Sequence, residues 1–185
     1  MKNRFRILLI LAVIAGNVLI DQATKQIART HLRGKGRIEV VGDLFVMRYT
    51  ENSGAFLGLG SGLKQPWRTI VFSLFPTIIM TALIIYIFRS RAMQRWELIW
   101  YACIIGGGIG NIIDRLLFSG MVTDFLNFGI GTVRTGILNL ADISITAGVT
   151  GILVLSVKQH LEEKKQQSSG SITPEAEATR KSEEN

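Results

Sequence analysis

Four apolar runs constrain what this chain can fold into. Residues 7–20 are apolar apart from Gly16 and Asn17. Residues 69–88 contain Pro76 as their one helix breaker. Residues 98–118 are interrupted by glycines and by Asn111, Asp114 and Arg115, and residues 141–157 start beside Asp142. A helix crosses the hydrocarbon core with about 20 predominantly apolar residues. The run at 69–88 meets that need alone. The other three carry polar groups, so they must bury them against one another rather than face lipid all round. The first run passes into "DQATKQIA", which continues a helical pattern, so its span is placed at 7–27. The spacing therefore predicts an α-helical polytopic membrane protein with transmembrane helices at 7–27, 69–88, 98–118 and 141–157.

With 185 residues, 48% of them hydrophobic, this is read as a single membrane-embedded domain over 1–165. The polar, charged residues 166–185 are expected to form a disordered tail. The basic start and apolar centre of "MKNRFRILLILAVIAGNVLI" resemble a signal peptide, but no small-residue cleavage site follows. A retained first span is the expectation.

Even span number puts both termini on one side. Lys2, Arg4 and Arg6 precede the first span, Arg89, Arg91 and Arg95 follow the second, and Lys158, Lys164 and Lys165 follow the fourth. These flanks are expected in the cytoplasm. The link at 118–140, with Arg134 as its basic residue, is expected outside. The segment 21–68 is also basic; span parity places it outside, where it is long enough to fold. Within it, residues 38–41 and 44–49 are rich in β-branched and aromatic side chains around Gly42-Asp43. They read as two strands of a small extracytoplasmic sheet lying between spans one and two, within 37–60.

Composition excludes several functions. Cys103 is the single cysteine, so no intrachain disulfide forms. His31 and His160 are far apart and unsupported, which leaves no metal site and no cofactor to expect. The net charge of +7 fits loop charge and attraction to anionic membrane lipids. Dispersed basic residues without aromatic interleaving speak against nucleic acid. A monomer is expected.

Against this background the stretch "GGGIGNIIDRLLFSGMVTDF" demands a reason. A charged residue at membrane depth costs about 2.5–3.5 kcal/mol even on the lenient insertion scale. Asn111, Asp114 and Arg115 stand at i, i+3 and i+4 on one helical face, with Gly107 and Gly110 allowing another helix close. Either Asp114 and Arg115 form a structural ion network, or these groups hold a substrate carbonyl or lipid phosphate; Arg115 and Asn111 are the better binding candidates. Asp21, Thr24 and Lys25 repeat the spacing, with Asp21 four residues before Lys25, a favourable structural pair. In "ENSGAF", Gly54 suits a turn and Asn52 can hold a substrate backbone.

Asp124 and Asp142 flank the short outer link between spans three and four. Asn139 can cap the fourth helix, whose positive end favours an ionised Asp142. If these spans are antiparallel neighbours the two carboxylates meet, and two carboxylates sharing a site retain one proton. One acid and one base around a water is an aspartic-protease arrangement. The alternative is two unrelated interfacial aspartates, one of them a cap.

"DQATK", "NSGAF", "GNIIDR", "VTDF" and "NLADIS" together resemble bacterial lipoprotein signal peptidase (signal peptidase II), in order and spacing, over nearly the whole chain. The resemblance implies an endopeptidase of the bacterial inner membrane that cuts lipid-modified prolipoproteins before the diacylglyceryl-cysteine. It also implies four spans with a small periplasmic β-cradle and an amphipathic helix. By motif, Asp124 and Asp142 match its catalytic pair. Asn52, Gly54, Asn111, Arg115 and Asn139 fall in its substrate-site motifs, and Asp21, Lys25 and Asp114 in supporting positions. Leu138 departs from the family, which often has an aromatic before the asparagine. A proton- or ion-coupled transporter also uses intramembrane Asp and Arg, but its site usually lies at the midplane. A structural assembly subunit is the third reading, and it predicts tolerance of Asp124→Asn and Asp142→Asn.

Overall fold

In the computed structural model, which describes residues 3–54, 60, 62–90 and 92–170, four long helices carry the apolar runs. The first span is Asn3–His31, the second Trp67–Arg89, the third Arg95–Leu117 and the fourth Leu140–Gly170. Each is long and apolar enough to cross a membrane. Large apolar side chains such as Leu8, Leu19, Ile78 and Leu153 are exposed, as lipid-facing residues should be. The second span enters through a wide π-helical turn, Ile70–Leu74, just ahead of Pro76. Proline has no N–H and its ring crowds the carbonyl four residues earlier, so a widened turn lets the helix pass without a break. The third span starts with a reciprocal cap. The Gln94 backbone N–H donates to Glu97 Oε2 at 2.9 Å, and the Glu97 backbone N–H is bound by the Gln94 side chain.

The third span is packed on several sides because its glycines let neighbours touch backbone. A Cβ on Gly107 would lie 2.5 Å from the carbonyl oxygen of Ala141 in the fourth span. A Cβ on Gly110 would strike the Asp21 carboxylate of the first. These two glycines do what small residues do in membrane interfaces, and here they also let polar groups of three helices converge.

β1 (Ile38–Val41) and β2 (Phe45–Asn52) form the expected hairpin between spans one and two. The sheet then departs from expectation. Its other half comes from the link between spans three and four, as β3 (Val122–Ile130) and β4 (Val133–Arg134), in antiparallel order β1-β2-β3-β4. The first five residues of β3 are buried, so its alternation is hidden and Asp124 interrupts its apolar character. The β2–β3 register sets Thr50 opposite Asp124 and Asn52 opposite Val122. Phe45 stacks on Phe128 with ring centroids 4.9 Å apart. At the far end Arg134 donates to Asp43 Oδ1 at 2.8 Å, tying the two hairpin turns. Hydrogen bonds from the Gly131 N–H and Arg37 hold the exposed Asp43 carboxyl below the usual range.

The fourth helix continues to Gly170, past residue 165 where the domain was expected to end. Glu, Lys and Gln are good helix formers, and their polarity does not stop a helix already under way. Residues 171–185 of the expected tail lie outside the described residues, as do 55–59 of the β region and Lys2 and Arg91 of the basic flanks. The amphipathic helix implied by the resemblance has no counterpart among the described residues of the first outer segment.

Candidate active site

The start of the fourth helix and the start of β3 bring the two aspartates into one hydrogen-bonded group. Asn139 caps that helix: its Oδ1 accepts from the Asp142 N–H at 2.9 Å, and Asp142 Oδ2 accepts from the Asn139 N–H at 3.2 Å. This reciprocal cap fixes Asp142 in the first turn. The amide of Asn139 then donates to Asp124 Oδ1 at 2.6 Å, so one side chain touches both aspartates. Asp124 Oδ2 accepts from Asn52 Nδ2 at 2.9 Å, a consequence of the β2–β3 pairing. Asn52 Oδ1 accepts in turn from the Gly54 N–H at 2.9 Å, the turn expected there.

Asn111 orients Asp142 from the third span, its Nδ2 donating to Asp142 Oδ1 at 3.0 Å. Its own Oδ1 accepts from Lys25 Nζ at 2.8 Å and from Asn139 Nδ2 at 3.2 Å. Two donors on the oxygen side leave the amide nitrogen one direction to face, toward Asp142.

Asp124 is 1% exposed and, among the described residues, has no cationic neighbour in hydrogen-bond contact. Burial, and next the charge of Asp142, push its carboxyl up to about 7, against the opposing pull of the Asn52 and Asn139 amides. Near neutral pH this carboxyl is a proton donor in balance with its anion.

Asp114 and Arg115 do not form the network that their adjacency suggested. Asp114 pairs across the bundle with Arg29, 2.7 Å away, and lies 3.6 Å from Lys25. Side chains one position apart point in different directions on a helix, and the first span supplies the nearer cations. Asp21 and Lys25 do pair, at 2.8 Å, both essentially fully buried. Arg115 instead donates to the Gly54 carbonyl at 2.9 Å and, at 3.4 Å, to the Asn111 carbonyl. Its Nε is buried with no hydrogen-bond partner among the described residues. The Arg115 side chain lies at a cleft of about 580 Å³ between spans two, three and four. Phe72, Phe75, Ile145 and Val149 make apolar walls, and Asn111, Arg115 and Asp142 supply polar groups. An apolar cleft with a few convergent polar groups is the usual form of a ligand site.

Arg29 is the residue sequence reasoning missed. Asp21, Lys25 and Arg29 fall at i, i+4 and i+8, so the stripe through the first pair already pointed to it. Its Nε also donates to Thr123 Oγ1 at 2.9 Å, tying the first span to the strand that carries Asp124. Among the described residues no cluster of His, Cys, Asp and Glu is arranged to hold a metal ion.

Residues 11–158 match the family model described as signal peptidase (SPase) II. A lipoprotein signal peptidase of Chlorobium phaeobacteroides is 36% identical over 146 residues, covering 74% of this chain and 88% of that protein. One from Treponema denticola is 34% identical over 153 residues, with 80% and 88% covered. A solved bacterial membrane enzyme, determined by the in meso method at 2.3 Å resolution, superposes with TM-score 0.72 at 28% identity, covering 82% of this chain and 88% of that one. A second, at 1.9 Å resolution, gives TM-score 0.69 at 27% identity, with 80% and 92% covered. With four spans, a small sheet and a family match over most of its length, this chain is a membrane peptidase belonging to the signal peptidase II family.

Proposed function

We propose that this chain is an aspartic endopeptidase that removes signal peptides from diacylglyceryl-modified prolipoproteins, cutting before the lipidated cysteine. The observation that carries the reading is the amide bridge of Asn139 between Asp124 and Asp142, with Asp142 in the wall of an apolar cleft. The cleft accommodates acyl chains and the apolar signal helix between the spans, while the peptide reaches the sheet. Asn52, Gly54, Arg115 and Asn111 lie around the path and offer donors to a substrate carbonyl or phosphate.

The mechanism is general acid–base hydrolysis. Asp142, at the positive end of its helix, acts as the base and takes a proton from the attacking water. The oxygen adds to the scissile carbonyl while Asp124 donates its proton to the developing oxyanion. The tetrahedral adduct then collapses: the C–N bond breaks, the leaving amine takes the proton now on Asp142, and an adduct hydroxyl returns its proton to Asp124, which resets the pair. No covalent enzyme intermediate and no metal are required. Because the two carboxyls titrate as a pair, the pair holds one proton in its active form.

The enzyme sits in the bacterial inner membrane as a monomer with both termini cytoplasmic and the dyad at the extracytoplasmic face. There it meets exported substrate and membrane lipid. The transporter reading is not favoured by the family match. The test is purified protein in detergent with a lipidated and an unlipidated form of one prolipoprotein. Cleavage of the lipidated form before its cysteine is the expected result, and no cleavage of either form rejects the proposal. Labelling of single-cysteine variants in the 118–140 link tests topology; labelling only from the cytoplasm inverts it.

A further inference from the structure

Each aspartate of the pair follows a residue whose backbone N–H is held by a different buried carboxylate. The Ala141 N–H, just before Asp142, donates to Asp21 Oδ1 at 3.0 Å. The Thr123 N–H, just before Asp124, donates to Asp114 Oδ2 at 2.9 Å. One ammonium joins the two anchors: Lys25 Nζ lies 2.8 Å from Asp21 Oδ2 and 3.6 Å from Asp114 Oδ2. It also donates to Asn111 Oδ1 at 2.8 Å, the amide that faces Asp142. Two of its three N–H donors have acceptors within hydrogen-bond distance, Asp21 and Asn111, and Asp114 stands at ion-pair distance. Gln22 repeats the bridge, its Nε2 lying 3.1 Å from Asp21 Oδ2 and 3.2 Å from Asp114 Oδ1.

We propose that Lys25 is a positioning residue that sets the separation of the Asp124 and Asp142 carboxylates by locking their two backbone anchors to each other. The proposal rests on the dyad reading given above. Charge balance alone does not call for this geometry, since Arg29 already pairs with Asp114 at 2.7 Å. What Lys25 adds is a second link between β3 and the fourth span, in addition to the one Asn139 makes. A pair that must place a water between an acid and a base tolerates little slack: a displacement of about 1 Å can cost on the order of a hundredfold in rate.

The test separates positioning from stability. Lys25→Met alone leaves buried carboxylates short of a cation and can fail to fold. Lys25→Met combined with Asp21→Asn keeps the charge balance and leaves a side-chain amide oxygen to accept from the Ala141 N–H, so both anchors persist while the link is cut. The expected result is a melting temperature near that of the unaltered protein, kcat lower by about a hundredfold, and KM little changed because neither replaced residue lines the cleft. A kcat equal to that of the unaltered protein overturns the proposal. If the double variant does not fold, Lys25→Gln combined with Asp21→Asn decides, since it keeps the same charge balance and its side chain, one atom shorter, cannot reach both anchors and Asn111: a lower kcat at constant KM supports the lock, and an unchanged kcat overturns it. Asp142→Asn is run alongside. If it still cleaves, the dyad reading fails and the lock falls with it; if it is inactive while the double variant works at full rate, only the lock fails.

Discussion

Two pairs of carboxylates, buried except for the half-buried Asp142, flank Asn111, and they are treated in opposite ways. Asp21 and Asp114 are matched with cations, Lys25 and Arg29, at 2.7 to 2.8 Å. Asp124 and Asp142 receive amide and backbone N–H donors instead. A cation at this distance ties a buried carboxylate to its neighbour and makes it part of the scaffold. Amides stabilise the anion less, so the site can hold or release a proton. Under the proposed mechanism the cation-paired acids serve the scaffold and the amide-bound pair serves proton transfer. Removing a dyad carboxylate should therefore silence the enzyme without unfolding it, and removing a scaffold carboxylate while its cation stays should destabilise it.

The largest effect is expected at the dyad. Asp124→Asn and Asp142→Asn should each lower cleavage by at least the roughly 10²–10⁴-fold that general acid–base catalysis typically contributes, in similar measure. Melting temperatures should stay near that of the unaltered protein, because the amide is nearly isosteric. Near-normal turnover of a lipidated substrate would remove that residue from the chemistry.

The scaffold side should show the converse. Asp114→Ala leaves the half-buried Arg29 and the buried Lys25 without this carboxylate and frees the Thr123 N–H, a loss on the order of 3–5 kcal/mol, read by thermal unfolding. A variant as stable as its parent would erase the distinction between the clusters.

Arg115 refines the contrast, because it faces the cleft side rather than Asp114. Arg115→Lys keeps the charge but loses the planar fork, so kcat/KM should fall about tenfold, the scale of one buried donor or acceptor left unmatched, with little change in melting. Arg115→Met with Asp114→Leu should not recover the stability lost in Asp114→Ala, since the partner left behind is Arg29. Recovery would restore the Asp114–Arg115 network that adjacency suggested.

A smaller, graded effect is expected from pH. The Asp124 carboxyl sits up at about 7, so its proton is lost as pH rises through that value, and cleavage should decline there on the alkaline side. The stability consequence has a definite sign. From the ordinary carboxylate range up to about pH 7 the folded chain keeps a proton that the unfolded chain has lost, so this group lowers stability as pH rises across that window and contributes no further change above it. In Asp124→Asn that portion of the slope should vanish; an unaltered slope would mean the group titrates normally. The smallest effect is expected from EDTA, which should leave activity intact; loss on chelation with recovery on adding metal would make the carboxylates ligands and replace the mechanism.

The spans, the strand pair around Gly42-Asp43, the Asn139 cap and the Asp21–Lys25 pair were legible because each rests on local spacing. Hydrophobic run length, turn residues and i, i+4 neighbours are properties of adjacent residues, and the chain cannot hide them. The two aspartates could be singled out for the same reason, as costly groups at the ends of apolar runs. What sequence spacing could not supply is direction. On the third helix Asn111, Asp114 and Arg115 share a face, yet that face meets three different neighbours. Asn111 goes to Asp142, Asp114 to Arg29, and Arg115 to the Gly54 carbonyl. Those partners lie 31, 85 and 61 positions away along the chain. Likewise β3 reads as a link with an aspartate in it until β2 is beside it, because a strand is stabilised by its neighbours rather than by its own residues. Residue order alone dictates that four apolar helices form and that acids are buried among them. Which acids meet a cation and which meet an amide is settled by packing, since that choice depends on which helix the glycines at 107 and 110 allow to come close.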